Sequence, residues 1–238
     1  MRSCAHGRSL TVNSVRAISA FAVNLVYPKR CAGCGRRGGW LCPDCEREIE
    51  RFAPPWCPAC GIPTHYPCRC ASMPQELAEV RSVGPFAGWM RGAVIHCKYH
   101  GEWGRTAELG ALVAGVCESL CSFDALVPVP LHPSRRRQRG FNQSLLIAQR
   151  AAELLRVPVE ENVLRVRRTG AQVHLGAEER ATNVTGAMAI RPGCTIEGRT
   201  FVLIDDVITT GSTLAACAAV LLQAGAQQVK AATLCREL

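Results

Sequence analysis

Eight cysteines between Cys31 and Cys70 fall into four close pairs: Cys31/Cys34, Cys42/Cys45, Cys57/Cys60 and Cys68/Cys70. The surrounding stretch, 28–72, is rich in Cys, Pro, Gly and Arg and shows no periodicity beyond a short helix expected over Pro43–Phe52. A segment this short cannot bury enough apolar surface to hold itself together, so another source of folding energy is required. Three of the pairs are C-x-x-C, a spacing that lets two thiolates from one tight turn approach a single tetrahedral ion. Gly35 and Gly61, directly after Cys34 and Cys60, let the backbone fold back toward that ion. Taken two pairs at a time in sequence order, the eight thiolates predict structural zinc, one ion or two. The second site is the less regular one: Cys68-x-Cys70 is a strained chelate, and His65 stands as an alternative ligand. Redox thiols or free buried cysteines are the competing readings, and four pairs in forty residues disfavour both. The total of fifteen cysteines is odd, which suits metal ligands in a reducing compartment better than disulfides, so a cytoplasmic location is expected.

A chain of 238 residues can hold one large domain or two small ones. Residues 1–27 carry Arg2, Arg8 and Arg16 and then an apolar run from Ala17 to Tyr27. The run resembles a signal peptide, but Asn24 interrupts it and no small-x-small cleavage site follows. A tail ending in an amphipathic helix is expected instead, and no apolar run reaches the roughly 18 residues of a membrane span. From residue 82 the character changes to a turn, a helix ending near Tyr99, a glycine break and a helix over about Gly104–Leu120. Strands are then expected at Ala125–Pro130, Val163–Arg168, Thr200–Val207 and Gln228–Leu234, with helices at Asn142–Arg156 and Thr213–Ala224 between them. This alternation predicts an α/β domain over 82–238, a parallel sheet flanked by helices, preceded by a cysteine-rich module over 28–72.

The stretch FVLIDDVITTGST, Phe201–Thr213, carries the chemistry. An all-apolar strand delivers Asp205 and Asp206 to the end of a parallel sheet, where ligands of such folds bind. The turn behind them offers Thr209, Thr210, Gly211, Ser212 and Thr213 at a helix N-terminus, a cradle of N–H groups and hydroxyls suited to a phosphate. The G-x-x-x-x-G-K-[ST] loop of nucleotide hydrolases is absent. A ribose 5-phosphate fits this layout, with the acids accepting from its 2′- and 3′-hydroxyls and the turn holding its phosphate. Solvated acids beside hydroxyl helix caps are the bland alternative.

VLIDDVITTGST is similar to the phosphoribosyl-diphosphate (PRPP) motif of type I phosphoribosyltransferases. Together with the cysteine pairs and VPVPLHPSRRRQRGFNQS, it makes the chain closely resemble the ComF family over about residues 22–238. The resemblance implies a type I phosphoribosyltransferase fold with an N-terminal zinc-ribbon module. It implies that Asp205 and Asp206 hold the ribose hydroxyls and that Thr209–Thr213 hold the 5′-phosphate. It places Leu131 and His132 in the diphosphate loop with Arg135 nearby, and Lys98 in a lysine–aromatic position before the first core strand. Thr169, Gln172, Arg180 and Asn183 correspond to a mobile arm. Mg²⁺ bound with PRPP is implied as the second metal, and DNA uptake in competence as the cellular role, with a helicase-like partner.

A formal net charge of +9 suits an anionic partner. Arg135, Arg136, Arg137 and Arg139, with Arg165, Arg167 and Arg168, could meet a diphosphate or track a nucleic-acid backbone. With only thirteen Phe, Trp and Tyr, a base-stacking platform is not evident. Two function classes therefore stand. One is a phosphoribosyltransferase acting on a nitrogen acceptor. The other is a non-catalytic protein that senses PRPP or a nucleotide, or binds single-stranded DNA. A steep salt dependence that survives loss of the acids marks DNA binding; PRPP binding requires them.

Overall fold

The structure is a computed structural model that describes residues 28–58, 60–68, 70, 73–166 and 186–238. The chain divides into two compact units, Met1–Glu48 and Ile49–Leu238, so the two cysteine clusters fall in different units. Among the described residues of the first unit a short helix, α1 (Pro43–Arg47), starts on Cys42 with Pro43 in its first turn. It is shorter than the expected Pro43–Phe52.

The second unit is built on four strands, β1 (Glu79–Pro85), β2 (Ala125–Pro128), β5 (Thr200–Ile208) and β6 (Gln228–Arg236). They form one sheet in the order β1-β6-β5-β2, and every pairing is parallel. A small antiparallel pair, β3 (Val163–Arg165) and β4 (Met188–Ile190), stands apart from it. Parallel strands buried on both faces read as continuous apolar runs, and Phe201–Ile204 is fully buried for that reason. On one face, Val127, Phe201, Leu203, Val229 and Ala231 pack with Leu214, Cys217, Ala218 and Leu221 of α6 (Ser212–Gln223) and with Val163 and Met188 of the small pair. The helices α3 (Thr106–Cys117) and α5 (Gln143–Leu155) pack on the main sheet and on each other. Gly110 permits that crossing: a Cβ there would sit 2.5 Å from Cβ of Arg150 and 2.8 Å from the Ile147 carbonyl oxygen. Before them, α2 (Gly88–Tyr99) leads into a 3-10 turn at Trp103–Arg105.

The fold thus has the parallel sheet flanked by helices that the alternation predicts, with three local corrections. The stretch around Ser82 is a strand, not a turn. Gly84 within it is required because a Cβ would fall 2.1 Å from the Glu50 carbonyl oxygen, and Pro85 ends the strand at the sheet edge. Lys98 consequently lies at the end of the helix after β1 and not ahead of the first core strand. The arginine run, given no element in the sequence reading, is a helix, α4 (Pro133–Arg139): His132 caps it, Pro133 opens it, and Gly140 closes it at φ +84°. β3 ends at Arg165, and Arg167 and Arg168 lie outside the described residues. No helix among the described residues is long and apolar enough to cross a membrane.

A Gly110→Val change should force α3 and α5 apart and lower stability by about 1–3 kcal/mol, read as a lower denaturant midpoint in urea unfolding.

Candidate functional site

The carboxyl end of β5 delivers Asp205 and Asp206 into a cavity of about 350 Å³. Adjacent strand residues face opposite sides of a sheet, and the two acids accordingly have different partners. Asp206, only 6% exposed, accepts from Lys98 Nζ at 2.8 Å and from Gln143 Nε2 at 2.9 Å. Asp205 accepts from Ser144 Oγ at 2.9 Å and from the Asp206 backbone N–H at 2.9 Å, both on Oδ1. Burial, then the neighbouring Asp206, pushes the Asp205 carboxyl up to about 7 despite Lys98. Burial works against the Lys98 charge, but Asp206 and Asp205 outweigh it and hold its pKa above the ordinary lysine value. The site therefore carries one acid locked in an ion pair and one poised near neutrality.

Much of the remaining lining comes from four other segments. Thr209–Thr213 form the turn into α6, with Gly211 in the left-handed region at φ +76° and Thr210 Oγ1 2.8 Å from Ser212 Oγ. Leu131 follows β2, and Arg135 and Arg139 project from α4 one helical turn apart. Arg165 closes the cavity from β3; burial and the nearby Arg135 pull its pKa below the usual arginine value, a repulsion that an anion between them would relieve. His132 is engaged locally, its Nδ1 accepting the Ser134 backbone N–H at 3.2 Å and lying 2.7 Å from Ser134 Oγ. It does not line the cavity.

Of the residues singled out in sequence, Lys98, Leu131, Arg135, Asp205, Asp206 and Thr209–Thr213 are brought together around one cavity. Gln172 and Arg180, with Thr169 and Asn183, lie outside the described residues. Sequence reasoning passed over Gln143 and Ser144, which bond the two acids. Their signal was present in GFNQS, where Asn142 caps α5 through Ser144 and so aims the next two side chains at the strand end.

The cysteines gather into two clusters, Cys31/Cys34/Cys42/Cys45 and Cys57/Cys60/Cys68/Cys70, each with its sulfurs within 4.8 Å of one another. Tetrahedral zinc with bonds of about 2.3 Å needs sulfurs about 3.8 Å apart. The contacts Cys34–Cys42 at 3.6 Å, Cys57–Cys68 at 3.6 Å, Cys60–Cys68 at 3.6 Å and Cys57–Cys70 at 3.3 Å fit that requirement. Cys68-x-Cys70 supplies both thiolates, and His65 stacks on Tyr66 instead of joining the cluster. Burial opposes ionisation of Cys31, yet backbone hydrogen bonds from Cys34, Cys42 and Gly33 bring its thiol down to about 6. Both clusters support structural zinc.

Such a sheet, with four-thiolate clusters N-terminal to it, is that of a phosphoribosyltransferase-fold protein carrying zinc-ribbon elements. Residues 142–238 match the phosphoribosyl transferase domain, and residues 22–74 match the double zinc ribbon domain. DNA utilization protein YhgH of Escherichia coli (strain K12) is 34% identical over 213 residues, covering 84% of this chain and 92% of that protein. Competence protein F of Haemophilus influenzae is 27% identical over 80% of this chain and 87% of its own length. Competence protein ComFC of Bacillus subtilis (strain 168) is 28% identical over 82% and 84% respectively. The chain belongs to the ComF family.

Lys98→Met should strand Asp206 without its cation and destabilise the protein by on the order of 3 kcal/mol. Adding Asp206→Asn should recover much of that loss. Urea unfolding of the two singles and the double measures the coupling; additive losses would contradict the pairing.

Proposed function

We propose that this protein binds PRPP with Mg²⁺ in the cavity at the end of β5 and transfers the phosphoribosyl group to a nitrogen acceptor. The observation that carries the reading is the poised Asp205 beside the hydroxyl turn, facing a cavity whose other wall is arginine. The turn Thr209–Thr213 holds the 5′-phosphate through its N–H groups and hydroxyls. Both recorded bonds to Asp205 fall on Oδ1, so Oδ2 is the oxygen assigned to a ribose hydroxyl. Asp206 carries two donors already, and a carboxylate has about four acceptor positions, so it can still accept a hydroxyl. Arg135, with Arg139 and Arg165, meets the diphosphate, while the backbone at Leu131 approaches it and His132 contributes as the cap of α4. When bound, Mg²⁺ supplies charge neutralisation of the leaving diphosphate, and the carboxylate chemistry of Asp205 suits a hard cation. Positive charge developing on the ribose ring is favoured by the two ionised acids beneath it. Gln172 and Arg180, in the arm that the family resemblance implies, are assigned to substrate binding.

Ionisation of Asp205 makes the binding pH-dependent. Its folded pKa is raised, so the ligand-free protein holds a proton that the unfolded chain releases between about pH 4 and pH 7. The stability this group contributes is full below about pH 4 and is lost as pH rises through about 7. Mg²⁺ and ribose hydroxyls select the carboxylate. Calorimetric titration of PRPP with Mg²⁺ should therefore show affinity rising from pH 6 to about 8, with proton release at the lower end. Asp205→Asn should abolish both the affinity and the proton release. Undiminished, pH-independent binding in Asp205→Asn would remove the acid from the site.

A second reading is favoured by the other face of α4. Arg136 and Arg137 are exposed and, with Arg165 and Arg191, line a separate cavity of about 710 Å³ that contains a single acid, Glu161. Relatives named for DNA utilization and competence make single-stranded DNA a candidate for that surface and DNA uptake the candidate cellular role. Arg136→Ala/Arg137→Ala should weaken binding of a labelled oligodeoxynucleotide and flatten its dependence on log salt by about one to two units. PRPP titration should be unaffected. An unchanged salt slope would exclude this face as the DNA surface.

A further inference from the structure

The second cysteine cluster and the phosphate turn meet at two residues, Met73 and Pro74. Gly211 lies directly against them: a Cβ at that position would come within 2.9 Å of Pro74 Cδ and 3.3 Å of Met73 Cε. From the cluster, two separate connections converge on Met73. The Met73 backbone N–H donates to the Cys70 carbonyl at 3.0 Å. Arg236, only 2% exposed, donates from one guanidinium nitrogen to the Cys60 carbonyl and from the other to Met73 Sδ at 2.9 Å. Arg236 is also the β6 residue paired with Ile208, and the following Glu237 N–H donates to the Ile208 carbonyl at 3.0 Å. Ile208 immediately precedes the turn. The turn is thus held from its strand side by the Arg236 segment and packed at Gly211 by Met73 and Pro74, and both supports are tied to carbonyls of metal-ligating cysteines.

We infer that Arg236, Met73 and Pro74 are positioning residues for the phosphate turn, and that the metal held by Cys57, Cys60, Cys68 and Cys70 sets the shape of that turn. The inference rests on the sugar-phosphate reading of the turn for its functional consequence, though not for the coupling itself. A buried guanidinium with donors on a carbonyl and a thioether is held in part by that carbonyl staying in place. Cys60 is the buried ligand of the set, whereas Cys68 and Cys70 are exposed. Loss of metal would free the exposed pair, release the Cys70 carbonyl from Met73, and leave Gly211 without its packing surface. Linkage then requires the reverse: a ligand that orders the turn must tighten the metal by the same factor.

Amide hydrogen exchange on the full zinc-loaded chain tests this without any ligand. Exchange at Thr209–Leu214 should accelerate about tenfold or more in Met73→Ala and in Cys70→Ser, while Val202–Ile204 in the strand core stays protected. Retained core protection shows that the variant is folded, and Met73→Ala leaves every metal ligand intact should Cys70→Ser fail to fold. Unchanged exchange at the turn in folded Met73→Ala overturns the inference. The reciprocal measurement is zinc transfer to a chromophoric chelator. At equilibrium with the chelator, PRPP with Mg²⁺ should tighten zinc in the second cluster by the same factor by which removal of that zinc weakens PRPP, and an unchanged zinc affinity with PRPP bound would also overturn the inference. If wild-type protein binds no PRPP, the sugar-phosphate reading fails by itself, and the exchange result still decides the coupling.

Discussion

Two adjacent carboxylates at the end of an inner strand, Asp206 buried and Asp205 half-buried, are costly unless something compensates them, and the arrangement around β5 follows from that requirement. Lys98 reaches Asp206 from the end of α2, and Gln143 and Ser144 reach the pair from the start of α5. An isolated buried charge would shift its pKa and neutralise. The two acids divide these outcomes: Asp206 is paired with Lys98 and Asp205 is pushed toward neutrality. A ligand that brings hydroxyl donors and a cation can recover the ionisation that burial opposes. The cost of placing both acids here is then largely met when the site fills.

The cysteine clusters solve a different problem with similar economy. Neither holds enough apolar surface to fold by burial, and metal ligation substitutes for a core. The first lies wholly within the unit ending at Glu48, and the second within the unit that carries the sheet. Gly61, beside the second cluster, has room for no side chain, since a Cβ would meet the Val80 carbonyl oxygen at 1.8 Å. This close approach fastens the knuckle to β1, much as Arg236 fastens it to β6.

Much of this was legible in the chain because it rests on periodicity and spacing. Buried parallel strands are written as apolar runs, so β5 and its emerging acids could be placed to within a residue. Ligand spacing located both clusters, and the C-x-C doubt resolved in favour of Cys70 once Sγ distances could be compared. The missed features depend on tertiary contact. β1 contains Arg81, Ser82 and Gly84, a polar and turn-like set. It is nevertheless a strand because Ser82 Oγ meets Thr233 Oγ1 at 2.7 Å across the sheet, Arg81 lies over Trp56 at 4.8 Å, and Gly84 admits the backbone at Glu50. The separation of Arg135 and Arg139 from Arg136 and Arg137 likewise needed the helix, since the sequence alone does not divide the four between two surfaces. Gln143, Ser144 and Arg236 act through partners 63, 61 and 176 residues away; the GFNQS cap signals the first two, and no local pattern announces Arg236.

The central claim is that the acid doublet and hydroxyl turn form one sugar-phosphate site, and a crystal structure of the zinc-loaded protein grown with Mg²⁺ and PRPP tests it most directly. The account predicts the 5′-phosphate within hydrogen-bonding distance of the Thr209–Thr213 amides, a ribose hydroxyl on Asp205 Oδ2, and the diphosphate against Arg135. Density for PRPP elsewhere, or a Lys98–Asp206–Gln143 cluster that fills the sugar position with PRPP at saturation, would contradict it.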